Sequence, residues 1–143
     1  MTKLAATAVA LAAALFASGA GAQSEKPTIL LVHGAFADSS SWNGVINILQ
    51  KDGYPVVATA NPLRSVSNDA ADVASVVSSI DGPVVLVGHS YGGQVISKAA
   101  VGHDNVKSLV FVAAFAPEKG ETILELSGKF PGGTLGEALA APV

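Results

Sequence analysis

Four short apolar runs, each rich in β-branched residues and separated by segments with helical spacing, constrain this 143-residue chain more than any other feature. "PTILLVHG" (27–34), "PVVATAN" (55–61), "PVVLVGH" (83–89) and "VKSLVFVAAF" (106–115) have strand length, and their near-continuous hydrophobicity suits strands buried on both faces. Between them, "SSSWNGVINILQKDGY" spaces Trp42, Val45, Ile46 and Leu49 along one helical face, with serines available as N-cap and Gly53 as a C-terminal stop. "SVSNDAADVASVVSSIDG" repeats the pattern through Ala70, Val73, Val77 and Ile80, and a third helix carries Val95 and Ile96 to about Val101. Strands that alternate with helices in this way return parallel by right-handed crossovers. The expected class is α/β, a doubly wound and mainly parallel sheet covered by helices on both faces.

Both ends of the chain differ from this middle. Lys3 is followed by an Ala/Leu/Val-rich run through Phe16, then by Ser18, Gly19 and the triplet Ala20-Gly21-Ala22. That is the layout of a signal peptide, residues 1–22, cleaved after Ala22, and it predicts an exported protein, periplasmic or secreted. Residues 4–22 carry no charge and would also suit a membrane anchor, but alanine inserts weakly and the small-residue triplet lies where an anchor would continue. Residues 23–143 are enough for a modest core. From Pro117 the texture changes to a polar turn, Glu118 to Glu121, then a short amphipathic stretch with Ile123, Leu124 and Leu126, then the loop-like "FPGGTLGEALAAPV".

Composition removes several chemistries. The chain has no cysteine, three histidines, no basic run and a net charge of -3, so neither a disulfide framework, a zinc site nor a nucleic-acid footprint is expected. What remains is the pentapeptide Gly88-His89-Ser90-Tyr91-Gly92, a G-x-S-x-G pattern that closes one apolar run and opens a helix. This is the setting of a nucleophile elbow. A serine on so sharp a turn has strained backbone angles, and the residues two positions either side, Gly88 and Gly92, must lack side chains to let the chain pass. Gly93 adds room. The following helix start aims N–H groups at any oxyanion that develops beside Ser90, the amide of Tyr91 first. A second donor is expected from the loop after the first strand, "HGAFADSSSW" (33–42), where Gly34 permits close approach and the amide of Ala35 or of Phe36 could serve. The ring of His33 is expected to hydrogen-bond its own loop.

"LLVHGAFADSSSW", "LVGHSYGG" and "LVFVAAFAPEKGE", in this order and spacing, resemble the α/β-hydrolase fold family, in particular its small-esterase and hydroxynitrile-lyase-like branch. The resemblance covers residues 27–130. It implies that Ser90 is the nucleophile, that Ala35 and Tyr91 supply the oxyanion amides, and that a cap begins near Pro117. It implies a sheet with the second strand outermost, then the first, third and fourth. It also implies a small-molecule substrate and no cofactor; oligomeric state is left open.

Serine needs a general base, itself oriented by an acid, and the family places both after the nucleophile. The histidine that follows Ser90 is His103, expected at the opposite edge of the sheet, while His89 should project away from the nucleophile. Glu118 and Glu121 follow the fourth strand on the correct edge, a place where some members of the fold keep their acid. The expectation is therefore the N-terminal half of a hydrolase, about four strands, either a truncated reading frame or a piece whose remainder is supplied elsewhere. Three functions follow: acyl-serine hydrolysis of a small ester with base and acid outside this chain, an inactive or non-catalytic ligand-binding protein of the same fold, or C–C or C–CN cleavage on it. The strand Leu109 to Ala114 would present an apolar edge, so residues 23–143 alone are expected to aggregate or to behave as a molten species.

Overall fold

A computed structural model describes residues 26–129 and 131–134; the leader-like residues 1–22 and the end of the region after Pro117 lie outside them. Its four strands, β1 (Thr28–Val32), β2 (Val56–Thr59), β3 (Val84–His89) and β4 (Val106–Val112), form one parallel sheet in the order β2-β1-β3-β4. Val32 pairs with both Thr59 and Gly88, and His89 pairs with Val112, so all four strands end on one edge. From β1 the chain winds first to β2 on one side and then to β3 on the other. The loops after β1 and β3 therefore leave side by side at the point where the winding reverses, the place where such sheets bind ligands.

Helices occupy the connections: α1 (Asn43–Lys51) after a 3₁₀ turn at Ser39–Trp42, α2 (Val66–Ser78), α3 (Gly92–Ala99) and, beyond β4, α4 (Ile123–Gly128). Side chains alternate across a strand. Leu30, Val32, Val84 and Leu86 consequently face Ala70, Val73 and Val77 of α2 and Val95, Ile96 and Ala99 of α3, all buried. Ile29 and Leu31 point the other way and pack on Trp42, with Ile46, Leu49, Val85 and Val87 around them.

Two details depart from the sequence expectations, and a third gives the amphipathic stretch its form. The 3₁₀ turn is capped by Asp38, whose carboxylate accepts the Ser40 N–H at 2.8 Å, and not by a serine. β4 stops at Val112 because Ala113 takes a left-handed backbone (φ 43°), short of Phe115. The stretch after Glu121 is a helix, started by a reciprocal capping box in which Thr122 accepts the Glu125 N–H and the Glu125 carboxylate accepts the Thr122 N–H.

Coverage of the sheet is also unequal. α2 and α3 close one face, but among the described residues only α1 and its 3₁₀ turn lie on the other, and a helix about 10 Å across cannot span four strands roughly 14 Å wide. An apolar groove of about 510 Å³ remains there, lined by Leu31, Trp42, Leu49, Val85, Val110 and Val112. Among the described residues no helix is long and apolar enough to cross a membrane.

Candidate active site

β3 ends at His89, Ser90 takes φ 52°, and α3 starts two residues later. A left-handed backbone at a residue with a Cβ costs about 1–2 kcal/mol and persists only where neighbours hold it. Here the Ser90 N–H donates to the Val112 carbonyl at 3.2 Å, and the Ser90 carbonyl accepts the Gly93 N–H at 3.0 Å. The three glycines are required by backbone contact. A Cβ on Gly88 would stand 2.5 Å from the Gly92 carbonyl oxygen, one on Gly92 would stand 2.6 Å from that of Val32, and one on Gly93 would stand 2.4 Å from that of Phe115. The turn can thus close against β1 and the end of β4 only with glycine at all three.

The loop after β1 lies against this turn. A Cβ on Gly34 would be 3.1 Å from Ser90 Cβ and 3.0 Å from His89 Nδ1, so the structure brings together the two segments that the sequence set 56 residues apart. Ala35 is half-buried beside them, whereas Phe36 is exposed. The loop is locked by His33, which is buried: its Nδ1–H donates to the Gly34 carbonyl (2.9 Å) and its Nε2 accepts the Asn61 N–H (3.0 Å). Asn61 returns a second bond, Nδ2–H to the His33 carbonyl at 3.3 Å. Both ring nitrogens are occupied, which fixes the neutral tautomer.

Neither of the other two histidines hydrogen-bonds Ser90 among the described residues. His89 sits on the α1 side of β3 with its ring edge-on to Trp42, centroids 6.4 Å apart at 89°. His103 precedes β4 at the opposite edge of the sheet, separated from Ser90 by the length of the six-residue β3, roughly 16 Å. Glu118 and Glu121 belong to one exposed turn, where the Glu118 N–H donates to the Glu121 carboxylate at 2.9 Å. The bond from Lys129 (2.6 Å) holds the Glu121 carboxyl below the usual glutamate range. Hydrogen bonds from Ser40 likewise lower Asp38.

One residue at this edge had no place in the sequence reading. Asp69 is fully buried on α2; its Oδ2 accepts the Tyr91 hydroxyl at 2.7 Å and its Oδ1 accepts the Arg64 N–H at 3.1 Å. Burial, reinforced by the carboxylate it faces, raises the Tyr91 phenol far above its ordinary range, so the hydroxyl stays a donor. A signal for Asp69 did exist. It lies four residues before Val73, on the face that α2 buries, and a carboxylate in such a position requires partners. Among the described residues no group of three or more His, Asp or Glu side chains is placed to hold a metal ion.

Residues 29–142 match the family model described as the Alpha/beta hydrolase family. The chain belongs to the α/β-hydrolase family. Within it, the chain is 29% identical over 132 residues to the carbendazim hydrolyzing esterase of Nocardioides sp. strain SG-4G, a match covering 77% of this chain and 54% of that protein. It is 30% identical over 106 residues to the pyrethroid hydrolase of Sphingobium wenxiniae, covering 66% and 38%. Among solved structures it superposes on an extracellular α/β-hydrolase from a Paenibacillus species with a TM-score of 0.64 and 26% identity, over 72% of this chain and 47% of that one. The chain thus spans about half or less of the length of these relatives.

Proposed function

We propose that this chain carries the nucleophile and the oxyanion pocket of an exported serine hydrolase that acts on a small ester or related acyl compound. The observation that supports it is the left-handed Ser90 between β3 and α3 with Gly34 of the β1 loop packed against it. In this reading Ser90 Oγ bonds to the acyl carbon, its proton passes to a general base, and the carbonyl oxygen becomes an oxyanion that the amides of Tyr91 and Ala35 stabilise. The C–O bond to the alcohol then breaks as the base returns the proton to the leaving oxygen. Water next attacks the acyl-serine by the same route and frees the acid. The relatives named as esterase and pyrethroid hydrolase support the substrate class, and the leader-like residues 1–22 support export.

This reading pairs Ser90 with a histidine and an acid contributed outside these 143 residues. It is supported by His33, whose two ring nitrogens are both hydrogen-bonded, by His89, edge-on to Trp42, and by His103, at the far end of β4. That same observation favours a second reading, a non-catalytic ligand-binding protein of this fold. Labelling by a fluorophosphonate probe with added imidazole, which supplies the missing base, separates the two. The first reading expects slow labelling that imidazole accelerates, an adduct mapped by mass spectrometry to Ser90, and no label in Ser90→Ala. Label that persists in Ser90→Ala, or no label even with imidazole, would overturn it; ester binding without labelling would support the second.

A further inference from the structure

The described residues bury three polar or charged side chains, His33, Asn61 and Asp69, and all three converge on one segment, residues 60–65 between β2 and α2. At one end of this segment Asn61 exchanges two hydrogen bonds with His33 and so holds the β1 loop that carries Ala35. At its other end the Arg64 N–H is bound by Asp69, whose second oxygen holds the Tyr91 hydroxyl. Leu63, between the two, is held at φ 59°, a strained conformation that only surrounding contacts maintain. Two donors contributed from positions 35 and 91 thus rest on a single strut contributed from neither strand.

We infer that the β2–α2 segment positions both halves of the oxyanion pocket, with Asp69 and Asn61 as positioning residues that never touch the substrate. The inference deepens the proposed serine chemistry and rests on it. Its physical content is distance: amides stabilise an oxyanion only when both lie about 3 Å from it, and displacement of such groups by about 1 Å costs on the order of a hundredfold in rate. A buried carboxylate suits the task because it accepts two bonds at a fixed separation, and its burial makes release of either partner unfavourable. Asn61 extends the strut through its backbone N–H and its side-chain amide, which hold the His33 ring and the His33 carbonyl of the β1 loop.

Substitution at Asp69 distinguishes positioning from charge. Asp69→Ala removes both acceptors. Asp69→Asn can still accept from Arg64 through its oxygen and donate to the Tyr91 oxygen through its amide, since the phenol rotates, so it keeps the connection without the charge. Two readouts apply to the full chain below its melting temperature: the imidazole-assisted rate at which a fluorophosphonate labels Ser90 in the folded fraction, and amide hydrogen exchange at residues 33–37 and 88–93. Asp69→Ala is expected to slow labelling by about tenfold or more and to quicken exchange in both segments, and Asp69→Asn to return labelling to within about threefold of wild type. A folded Asp69→Ala chain that labels at the wild-type rate with unchanged exchange would overturn the inference, as would quickening in only one segment. If the unsubstituted chain takes no label, the nucleophile reading fails by itself and exchange alone decides the strut. If Asp69→Ala does not fold, Tyr91→Phe replaces it: quickened exchange at 88–93 supports the inference, and wild-type exchange there overturns it.

Discussion

β3 and β4 are hydrogen-bonded neighbours with similar sequences, "VVLVGH" and "VKSLVFV", yet they live in different environments. Val84 and Leu86 are fully buried, whereas Val110, Phe111 and Val112 remain 41%, 36% and 39% exposed. β3 has a strand on either side, α2 and α3 over one face and Trp42 on the other. β4 has β3 as its one strand neighbour among the described residues, with α3 against one face through Val106 and Leu109, and its outer edge is unpaired among them. Apolar sequence therefore makes a strand in both places, but it is the neighbours that turn that strand into core. The elbow grows from the buried strand, so Ser90 stands on the firmest part of the sheet.

The sharpest way to break this contrast is a matched pair of truncations. Leu86→Ala should cost about 3 kcal/mol in urea unfolding, as removal of a fully buried leucine does, and Val110→Ala less than about 1 kcal/mol. Equal costs would mean that β4 is as buried as β3. Next in size is Gly88→Ala, where the new methyl meets the Gly92 carbonyl and cannot be accommodated by a rotamer change; about 2 kcal/mol is expected, together with loss of Ser90 labelling. Ser108→Ala on exposed β4 should stay within about 0.5 kcal/mol.

A change on β4 should act on association more than on folding. Val110→Lys, which places charge in the open groove and beside the free edge, is expected to lower concentration-dependent light scattering while shifting stability by less than about 1 kcal/mol. Scattering that remained unchanged would show that association starts elsewhere. The smallest effect concerns α4. Because Lys129 holds the Glu121 carboxyl below the usual glutamate value, its contribution is present above that value, 4.5, and is lost as pH falls through the depressed folded value. Amide exchange in α4 should quicken there in the unsubstituted chain and be less pH-dependent in Glu121→Gln, with β3 unaffected in both.

How far the sequence was legible follows the range over which each signal acts. Strand runs, helix faces and the need for glycine at 88, whose Cβ would meet the nearby Gly92 carbonyl, are expressed within a few residues, and the structure repeats the elements with ends moved by one to three residues. The need for glycine at 92 and 93 comes from the distant Val32 and Phe115 carbonyls. The Thr122–Glu125 capping box that starts α4 on the amphipathic stretch is equally local. Asn61 and Asp69 were a different matter. Their partners lie 28 and 22 residues away, and a lone Asn or Asp near a helix start reads as a turn or a cap.

By itself the sequence determined the α/β alternation and the single serine turn between β3 and α3, because hydrophobic periodicity and backbone sterics act locally. Only the tertiary structure decided that Gly34 would lie against Ser90, that a buried aspartate on α2 would hold Tyr91, and that β4 would stay half bare. Those outcomes depend on register and on which faces meet, and registration between distant segments is settled by packing of the whole sheet.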